Sequence, residues 1–279
     1  MGSSEVDLKA CRRAAIEAAE AAGRLIRSAF GGAVAVEDKG TMGDVVTSLD
    51  RAAERLIIDW LHRLFPSHRI VSEESGASYG SSEGSWTWLV DPLDGTNNIV
   101  VGLPVAAIGI TLCYDNRPLV GVVHEPFVSR TWSAQQGGGV WQNDDRPLRR
   151  QATVRRRPVI AWTQGYGIAV HDRTVSALRE DLKKYARRVL ELWAPLCSWA
   201  MLARGDIEGI VGYRIGELDL HAGALIANMT GVEIRDFDGR PFDIRFSGLA
   251  ENRSLVAAVP ERIGELLALV AGKALQPVD

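Results

Sequence analysis

The chain has 279 residues, of which 46% are hydrophobic and 24% are charged, and its formal net charge at pH 7 is −3. This length and composition fit one large domain or two closely packed halves with a sizeable core. Acidic and basic residues are both spread along the chain, so the charge favours neither nucleic acid nor a membrane surface as a partner.

The three cysteines are far apart and lack metal-type spacing. This argues against a disulfide framework and a zinc site, and it favours a reducing compartment. No run approaches the ~20 apolar residues that cross a bilayer. We therefore expect a cytoplasmic protein.

The first half is predicted to hold two helices followed by strands. Apolar residues at helical spacing predict a helix from Ser4 to Phe30 and another from Leu49 to Leu64, which Pro66 ends. Thr47-x-x-Asp50 has the pattern of a capping box at the start of the second helix. Short β-rich runs then follow one another without long helices, which predicts an antiparallel sheet: RIVS, WTWLV, VAAIGITLC, LVGVVHE and RTWSA, with a last hairpin in GGGVWQNDDRPLR.

From about Pro158 the predicted strands and helices alternate, which indicates an α/β half. The predicted strands are PVIAW, VLELW, Ile207–Val211, Val232–Arg235 and Ser254–Val259. The predicted helices are Asp172–Arg187, one that includes Ser198–Ala203, Leu218–Met229, and one that Pro260 begins. We place the boundary between the halves near Thr153–Arg157, which gives residues 1–153 and 154–279.

The run WLVDPLDGTNNIV carries two carboxylates directly after a buried strand. Asp-Pro and Asp-Gly are both turn formers, so Asp91 and Asp94 could simply belong to a polar turn. Two carboxylates that a sharp bend brings together repel each other unless a proton or a hard cation lies between them. Mg²⁺ is such a cation and takes oxygen ligands. Gly95 and Thr96 could open a short helix whose free amides face a phosphate.

Other charged residues have simple structural explanations when each is considered alone. Glu73 and Glu74 could be an exposed acidic turn after the strand RIVS, and Asp50 could be only a helix cap. Asp219 could complement the dipole of the helix that follows it. Lys39 alone would be a surface lysine.

The order of these motifs resembles the inositol monophosphatase family, which belongs to the Mg²⁺-dependent, lithium-sensitive sugar phosphatases. The resemblance covers about residues 10 to 260 and rests on Lys39, on Asp-x-Val-Thr-x-x-Asp ending at Asp50, on Glu73-Glu74, on DPLDGTNN, and on Leu-Asp-x-x-Ala-Gly around Asp219. It implies a layered αβαβα sandwich of the fructose-1,6-bisphosphatase type, with an α+β and an α/β half. It also implies a homodimer that hydrolyses a small-metabolite monophosphate (of a sugar, a cyclitol or a related compound) with metal-activated water and two to three Mg²⁺ ions.

The resemblance implies a role for each motif residue. The ligands of the first metal would be Glu73, Asp91 and the carbonyl of Leu93. Those of the second would be Asp91, Asp94 and Asp219. Asp50 and Thr96 would orient and deprotonate the attacking water. The amides of Gly95 and Thr96 would cradle the phosphate, and Lys39 would lie beside a third, weaker metal.

A metal mechanism also agrees with the difficulty of the reaction. Phosphate monoester hydrolysis can require a rate gain of up to ~10²¹, whereas one general acid–base residue supplies about 10²–10⁴. None of the five histidines falls in a catalytic-looking motif, and we expect most of them at the surface.

Two segments depart from the family pattern and bear on the substrate. Trp193-Ala194-Pro195-Leu196 replaces the usual Gly-[Ser/Thr]-Ala-Ala, and in Gly212–Glu217 only Glu217 could be the acid that touches sugar hydroxyls. We expect Trp193, Tyr213 and Arg214 to line the substrate site, although the two aromatic residues could equally be core residues. The alternative substrate is therefore a nucleoside monophosphate or histidinol phosphate. A non-catalytic binding protein of the same fold is a remote alternative, because no ligand residue is lost.

Overall fold

The computed structural model describes residues 6–33, 35–39, 43–76, 78–79, 85–143, 146–148, 155–169, 171–249 and 252–272. Within these ranges the helices are α1 (Leu8–Ala29), α2 (Ser48–Leu64), α3 (Thr96–Val100), α4 (Arg173–Tyr185), α5 (Pro195–Arg204), α6 (His221–Met229) and α7 (Pro260–Val270). The proposed boundary between residues 153 and 154 lies outside the described residues.

The strands complete the element order. They are β1 (Val36–Asp38), β2 (Val45–Thr47), β3 (Arg69–Ser72), β4 (Ser78–Tyr79), β5 (Trp86–Asp94), β6 (Ala107–Tyr114), β7 (Arg117–Glu125), β8 (Arg130–Gln135), β9 (Gly139–Gln142), β10 (Arg146–Pro147), β11 (Val159–Gln164), β12 (Arg188–Leu190), β13 (Gly209–Gly216), β14 (Glu233–Arg235) and β15 (Asn252–Ala258). Only β1 and β2 form a separate two-stranded sheet in the described chain.

The first large sheet has the strand order β10-β9-β8-β7-β6-β5-β3-β4. Its neighbours are antiparallel except for β3 and β5, which are parallel. The prediction of a purely antiparallel sheet is therefore wrong at this pair. The connection between β3 and β5 is about a dozen residues long, which is enough for the crossover that a parallel pair needs.

Helices α1 and α2 cover one face of this sheet. The buried face of α1 consists largely of alanines, so α1 can lie close to α2 and to the sheet. Asp7 caps α1, and its carboxylate accepts from the backbone N–H groups of Lys9 and Ala10. At the start of α2, Thr47 and Asp50 form the capping box that the sequence predicts.

The second large sheet has the order β12-β11-β13-β15-β14, with β12, β11 and β13 parallel and β15 antiparallel to both of its neighbours. Helices α5 and α6 contact strands of both large sheets, while α4 and α7 pack on the far face of the second. The layers are thus α1–α2, sheet, α5–α6, sheet, α4–α7. This confirms the predicted αβαβα sandwich.

Three sequence expectations need correction. The strand predicted in VLELW ends at Leu190, and the helix predicted from Leu218 begins only at His221. Of the five histidines, His68, His124 and His221 are buried, so most are not at the surface. Each of these three imidazoles stacks on an aromatic ring or takes part in a hydrogen bond, and these contacts offset the cost of burying it.

None of the described helices has the length and apolar character needed to cross a bilayer.

Helices α5 and α6 approach closely where Gly223 meets Trp199. A Cβ built on Gly223 would lie 2.4 Å from both Cβ and Cγ of Trp199. Those atoms are next to the backbone of α5, so a rotamer change of Trp199 cannot relieve the overlap.

We predict that Gly223→Ala lowers the free energy of unfolding by ~1–3 kcal/mol, because overpacking outweighs the better helix propensity of alanine. Gly264→Ala is the matched control. Gly264 is exposed in α7 and a Cβ there meets nothing within 4 Å, so alanine should stabilise the protein by up to ~1 kcal/mol. Denaturant unfolding measures both changes. If both variants are stabilised, the close approach of α5 and α6 is wrong.

Candidate metal and phosphate site

A cavity of about 860 Å³ lies between the two halves. This volume is in the upper part of the range of small-molecule sites. The first half contributes Lys39, Asp44, Glu73, Asp91 and the run from Leu93 to Asn97. The second half contributes the end of β11 and the loop after it, the segment before α5, and Asp219.

A β-bulge explains why two carboxylates three residues apart can act together. In a regular strand, residues i and i+3 point to opposite faces. On β5, Asp91 pairs with Gly109 and Asp94 with Ala107, so three steps on β5 match two steps on β6. The extra residue of the bulge turns the strand and brings both side chains into the same cluster.

Three carboxylates form the centre of the cavity. Oxygens of Asp91, Asp94 and Asp219 all lie within 4.8 Å of one another. Burial raises the pKa of Asp91 well above its usual value, and the charges of Glu73, Asp94 and Asp219 raise it further. Burial, together with the charges of Glu73 and Asp44, raises the pKa of Asp219 to about 7.

The cluster fits a divalent cation bound through oxygen. The Oδ1 atom of Asp91 accepts from the backbone N–H of Leu93 at 3.1 Å, but its Oδ2 atom is buried and has no hydrogen-bond partner. An unpaired buried carboxylate oxygen beside two other carboxylates is costly without a positive charge. The donor set contains only oxygen, which is the preference of Mg²⁺.

Asp94 connects this cluster to the second half. Its Oδ2 atom accepts from the backbone N–H of Leu196 at 2.7 Å, in the first turn of α5. This hydrogen bond orients the carboxylate and leaves its Oδ1 atom for the cluster. The Asp94 side chain therefore belongs to the acidic cluster and also binds a free backbone N–H in the first turn of α5.

Asp50 and Thr96, the pair to which the resemblance assigns the attacking water, lie side by side. The Oδ1 atom of Asp50 is 2.5 Å from the hydroxyl of Thr96, which is also 3.0 Å from the carbonyl oxygen of Leu93. The Oδ2 atom of Asp50 accepts from the backbone N–H of Thr47 at 2.9 Å. One oxygen thus caps α2 and the other faces the site. Burial raises the pKa of Asp50, although hydrogen bonds from Thr47 and Thr96 lower it.

Lys39 bridges the two glutamates that follow β3. Its Nζ atom lies 3.0 Å from Glu73 and 2.6 Å from Glu74. Burial raises the pKa of Glu74 to about 7, and the hydrogen bond from Lys39 opposes this shift. Lys39 therefore balances part of the negative charge at the edge of the cluster.

Gly95 makes the turn from β5 into α3. Its φ is +95°, and a Cβ there would lie 2.9 Å from the carbonyl oxygen of Val105 and 3.1 Å from the Cβ of Ala194. Only glycine combines this conformation with so close an approach. Thr96 is the first residue of α3, so its amide has no partner within the helix.

Of the three residues expected to recognise the substrate, the structure places Trp193 at the cavity and the other two away from it. Trp193 is 59% exposed and lines the cavity. Tyr213 does not: it is buried and packs between Trp162 and Phe237. The exposed Arg214 is also absent from the described lining residues. A register shift in β13 between Gly212 and Ile215 accounts for both positions, because it changes the faces to which the intervening side chains point.

Glu217 is not a sugar-binding acid in this structure. It is buried, and its carboxylate accepts from His221 at 2.9 Å and from the backbone N–H of Ser247 at 3.1 Å. Arg253 lies 2.6 Å from the same carboxylate. These partners lower the pKa of Glu217 against the effect of burial, so it is a charged structural residue.

Sequence reasoning assigned no role to two residues of the cavity. Asp44 lines it, and burial raises the pKa of this carboxyl. Tyr166 also lines it, and its hydroxyl accepts from Nδ2 of Asn97 at 3.1 Å. The available signal was the position of Gly-Tyr-Gly, which begins three positions after the end of the predicted strand PVIAW, since ligands bind beyond the carboxyl ends of parallel strands.

Comparison with known proteins gives consistent results for sequence and structure. The family described as "Inositol monophosphatase family" matches residues 7–272. "Fructose-1,6-bisphosphatase/inositol-1-monophosphatase" of Thermotoga maritima is 31% identical over 78% of this chain and 81% of its own.

Two solved structures share the fold. "Extragenic suppressor protein suhB" of Bartonella henselae has a TM-score of 0.84 and 25% identity, over 94% of this chain and 99% of its own. A structure described as "IMPase/NADP phosphatase complexed with Mg2+ and phosphate" has a TM-score of 0.71 over 85% of both chains. At 18% identity, it shows the fold alone.

We predict that Asp91→Asn raises the melting temperature of the protein in EDTA, because one charge leaves a repelling cluster, and that Mg²⁺ then no longer stabilises the variant. Wild type should be stabilised by Mg²⁺ through mass action. Asp59→Asn, on the exposed face of α2, is the control and should behave like wild type. Calorimetry with and without Mg²⁺ measures both effects. An unchanged Mg²⁺ shift in Asp91→Asn would contradict the cation site.

Proposed function

We propose that this chain, which belongs to the inositol monophosphatase family, hydrolyses a small-metabolite monophosphate in a Mg²⁺-dependent reaction. Family membership makes the chain a phosphoric monoester hydrolase. The Mg²⁺ dependence and the class of alcohol are the parts that we propose. The observation that carries the proposal is the convergence of Asp91, Asp94 and Asp219 next to the Asp50–Thr96 pair.

Asp91, Asp94 and Asp219, together with Glu73 and the carbonyl of Leu93, would hold two to three Mg²⁺ ions. When bound, such ions neutralise the phosphoryl oxygens, lower the pKa of water and stabilise the leaving alkoxide. The unpaired Oδ2 atom of Asp91 and the cluster of carboxylates support this assignment.

Asp50 and Thr96 would position the attacking water and take its proton. The hydroxyl of Thr96 donates to Oδ1 of Asp50, so the Thr96 oxygen is free to accept from water. The raised pKa of Asp50 makes it a stronger base than an exposed aspartate. The water oxygen would form a bond to phosphorus while one of its protons passes to the Asp50–Thr96 pair and the other stays on the phosphate. The ester P–O bond would break, the leaving alkoxide would take a proton from solvent, and Asp50 would return its proton to solvent.

Gly95, Thr96 and Lys39 would bind the phosphate. The positive φ of Gly95 turns the backbone at the end of β5, where the amides of Gly95 and Thr96 can face an anion. Lys39 supplies a positive charge at the same edge of the cavity. The expected phosphate-binding residues thus come entirely from the first half.

A second candidate function has support from one observation. Trp193 stands at the cavity where a small residue is usual, which favours a nucleoside monophosphate or histidinol phosphate over a polyol phosphate. A non-catalytic binding protein of the same fold is less consistent with this site. Such a protein would be expected to have lost a metal ligand, and every expected ligand residue is present.

The chain would act as a cytoplasmic homodimer. All three cysteines are unpaired and buried, which suits a reducing compartment.

An exposed apolar run begins at the end of α3 and consists of Val100, Val101 and Leu103, with Val101 67% exposed. A second copy of the chain could cover this run.

Multi-angle light scattering tests the dimer. We expect twice the mass of one chain for wild type, and we expect Val101→Asp to shift the population toward monomer because a charge would be buried in the interface. A wild-type monomer, or an unaffected dimer in the variant, would contradict this interface.

We predict that Asp50→Asn reduces kcat by at least ~10², since general-base contributions are of this size, while Mg²⁺-induced stabilisation remains. Thr47→Ala separates this role from helix capping. It should cost ~0.5–2 kcal/mol of stability and affect turnover much less. Phosphate release from a panel of monophosphates, measured with Mg²⁺ and with EDTA, gives the rates. Full activity in EDTA, or wild-type turnover in Asp50→Asn, would contradict the mechanism.

A further inference from the structure

Exposed aromatic side chains are concentrated at the cavity. In the part of the chain that the structure describes, the large exposed aromatics are Tyr114, Tyr166 and Trp193. Tyr114 packs against Trp86 on the first sheet, with ring centroids 4.7 Å apart. The other two both line the cavity and leave 45% and 59% of their surface exposed.

The backbone of Trp193 is strained as well as exposed. Its φ is +51°, in the left-handed region that is unfavourable for residues other than glycine. Exposure of a large aromatic ring and an unfavourable backbone conformation would both be relieved by glycine. Strain that persists at a cavity wall points to a role in binding.

Three contacts hold Trp193 at the phosphate-binding turn. Nδ2 of Asn98 donates to the carbonyl oxygen of Leu192 at 2.6 Å, on one side of Trp193. On the other side, Ala194 packs against Gly95, and the backbone N–H of Leu196 donates to Asp94. The position of Trp193 relative to the acidic cluster is therefore fixed by the DPLDGTNN motif.

Tyr166 is fixed by the same motif. Nδ2 of Asn97 donates to the Tyr166 hydroxyl at 3.1 Å and to the carbonyl oxygen of Gly43 at 3.2 Å. Because the hydroxyl accepts from Asn97, its own hydrogen can be donated to a ligand. The two adjacent asparagines thus each anchor one aromatic residue of the second half.

We propose that Tyr166 and Trp193 bind a planar heteroaromatic ring in the alcohol part of the substrate, so that the preferred substrate is a monophosphate that carries such a ring. The inference rests on the proposed function and adds the substrate class. Aromatic faces bind flat rings by stacking without requiring a particular hydrogen-bond pattern. Arg179 and Glu191, an ion pair in the same wall, supply a donor and an acceptor for the ring edge.

The decisive comparison uses adenosine 5′-monophosphate and ribose 5-phosphate, which present the same 5′-phosphate and differ mainly in the base. We expect wild type to prefer the nucleotide by at least about tenfold in kcat/KM. Trp193→Ala should reduce this ratio about tenfold, and Trp193→Phe should restore most of it because the ring face returns. Tyr114→Ala, an exposed aromatic away from the cavity, should leave the ratio unchanged.

Histidinol phosphate distinguishes an imidazole from a purine within the same class, and either preference supports the proposal. A preference for ribose 5-phosphate or inositol 1-phosphate over both ring-bearing substrates, or no change in Trp193→Ala of the ratio for the preferred ring-bearing substrate, would overturn it. If wild type releases phosphate from no compound, the proposed function fails separately. Calorimetric binding of adenosine against ribose then tests the ring site: equal binding of adenosine by wild type and Trp193→Ala overturns it.

Discussion

Repulsion among three clustered carboxylates is the constraint on which the organisation of this protein depends. Asp91 and Asp94 come from the first half and Asp219 from the second, and their oxygens gather within 4.8 Å. Folding alone cannot favour this arrangement, because burial and mutual charge both disfavour ionised carboxylates. The packing of the two halves therefore carries an electrostatic cost that a bound cation would offset.

The surrounding structure is built to hold these side chains despite that cost. The bulge in β5 turns Asp91 and Asp94 toward one another, and the first turn of α5 donates to Asp94. Thr96 is held against Asp50, which at the same time caps α2. Each of these contacts joins the site to a rigid helix or strand, so the geometry does not depend on the carboxylates attracting one another.

The sequence predicted the parts of the site that lie close together along the chain. DPLDGTNN contains the strand end, the turn and the start of α3, and the family resemblance that this run carries led us to expect Asp91, Asp94 and Thr96 in one site. Tyr213 was misplaced because its orientation depends on a register shift between β13 and β15, which no local pattern reveals. Tyr166 was missed for a related reason: its significance comes from a hydrogen bond to Asn97, 69 positions away.

The two walls of the cavity are connected through one short segment of the chain. Asn97 and Asn98 belong to the segment that presents Thr96, and they also anchor the loops that carry Tyr166 and Trp193. If Tyr166 and Trp193 bind the alcohol group as proposed, a change in that binding would act on α3, next to the Asp50–Thr96 pair. Remote binding energy accelerates a reaction only when it helps to position the reacting groups. In this fold, two adjacent side-chain amides provide the physical connection through which that can occur.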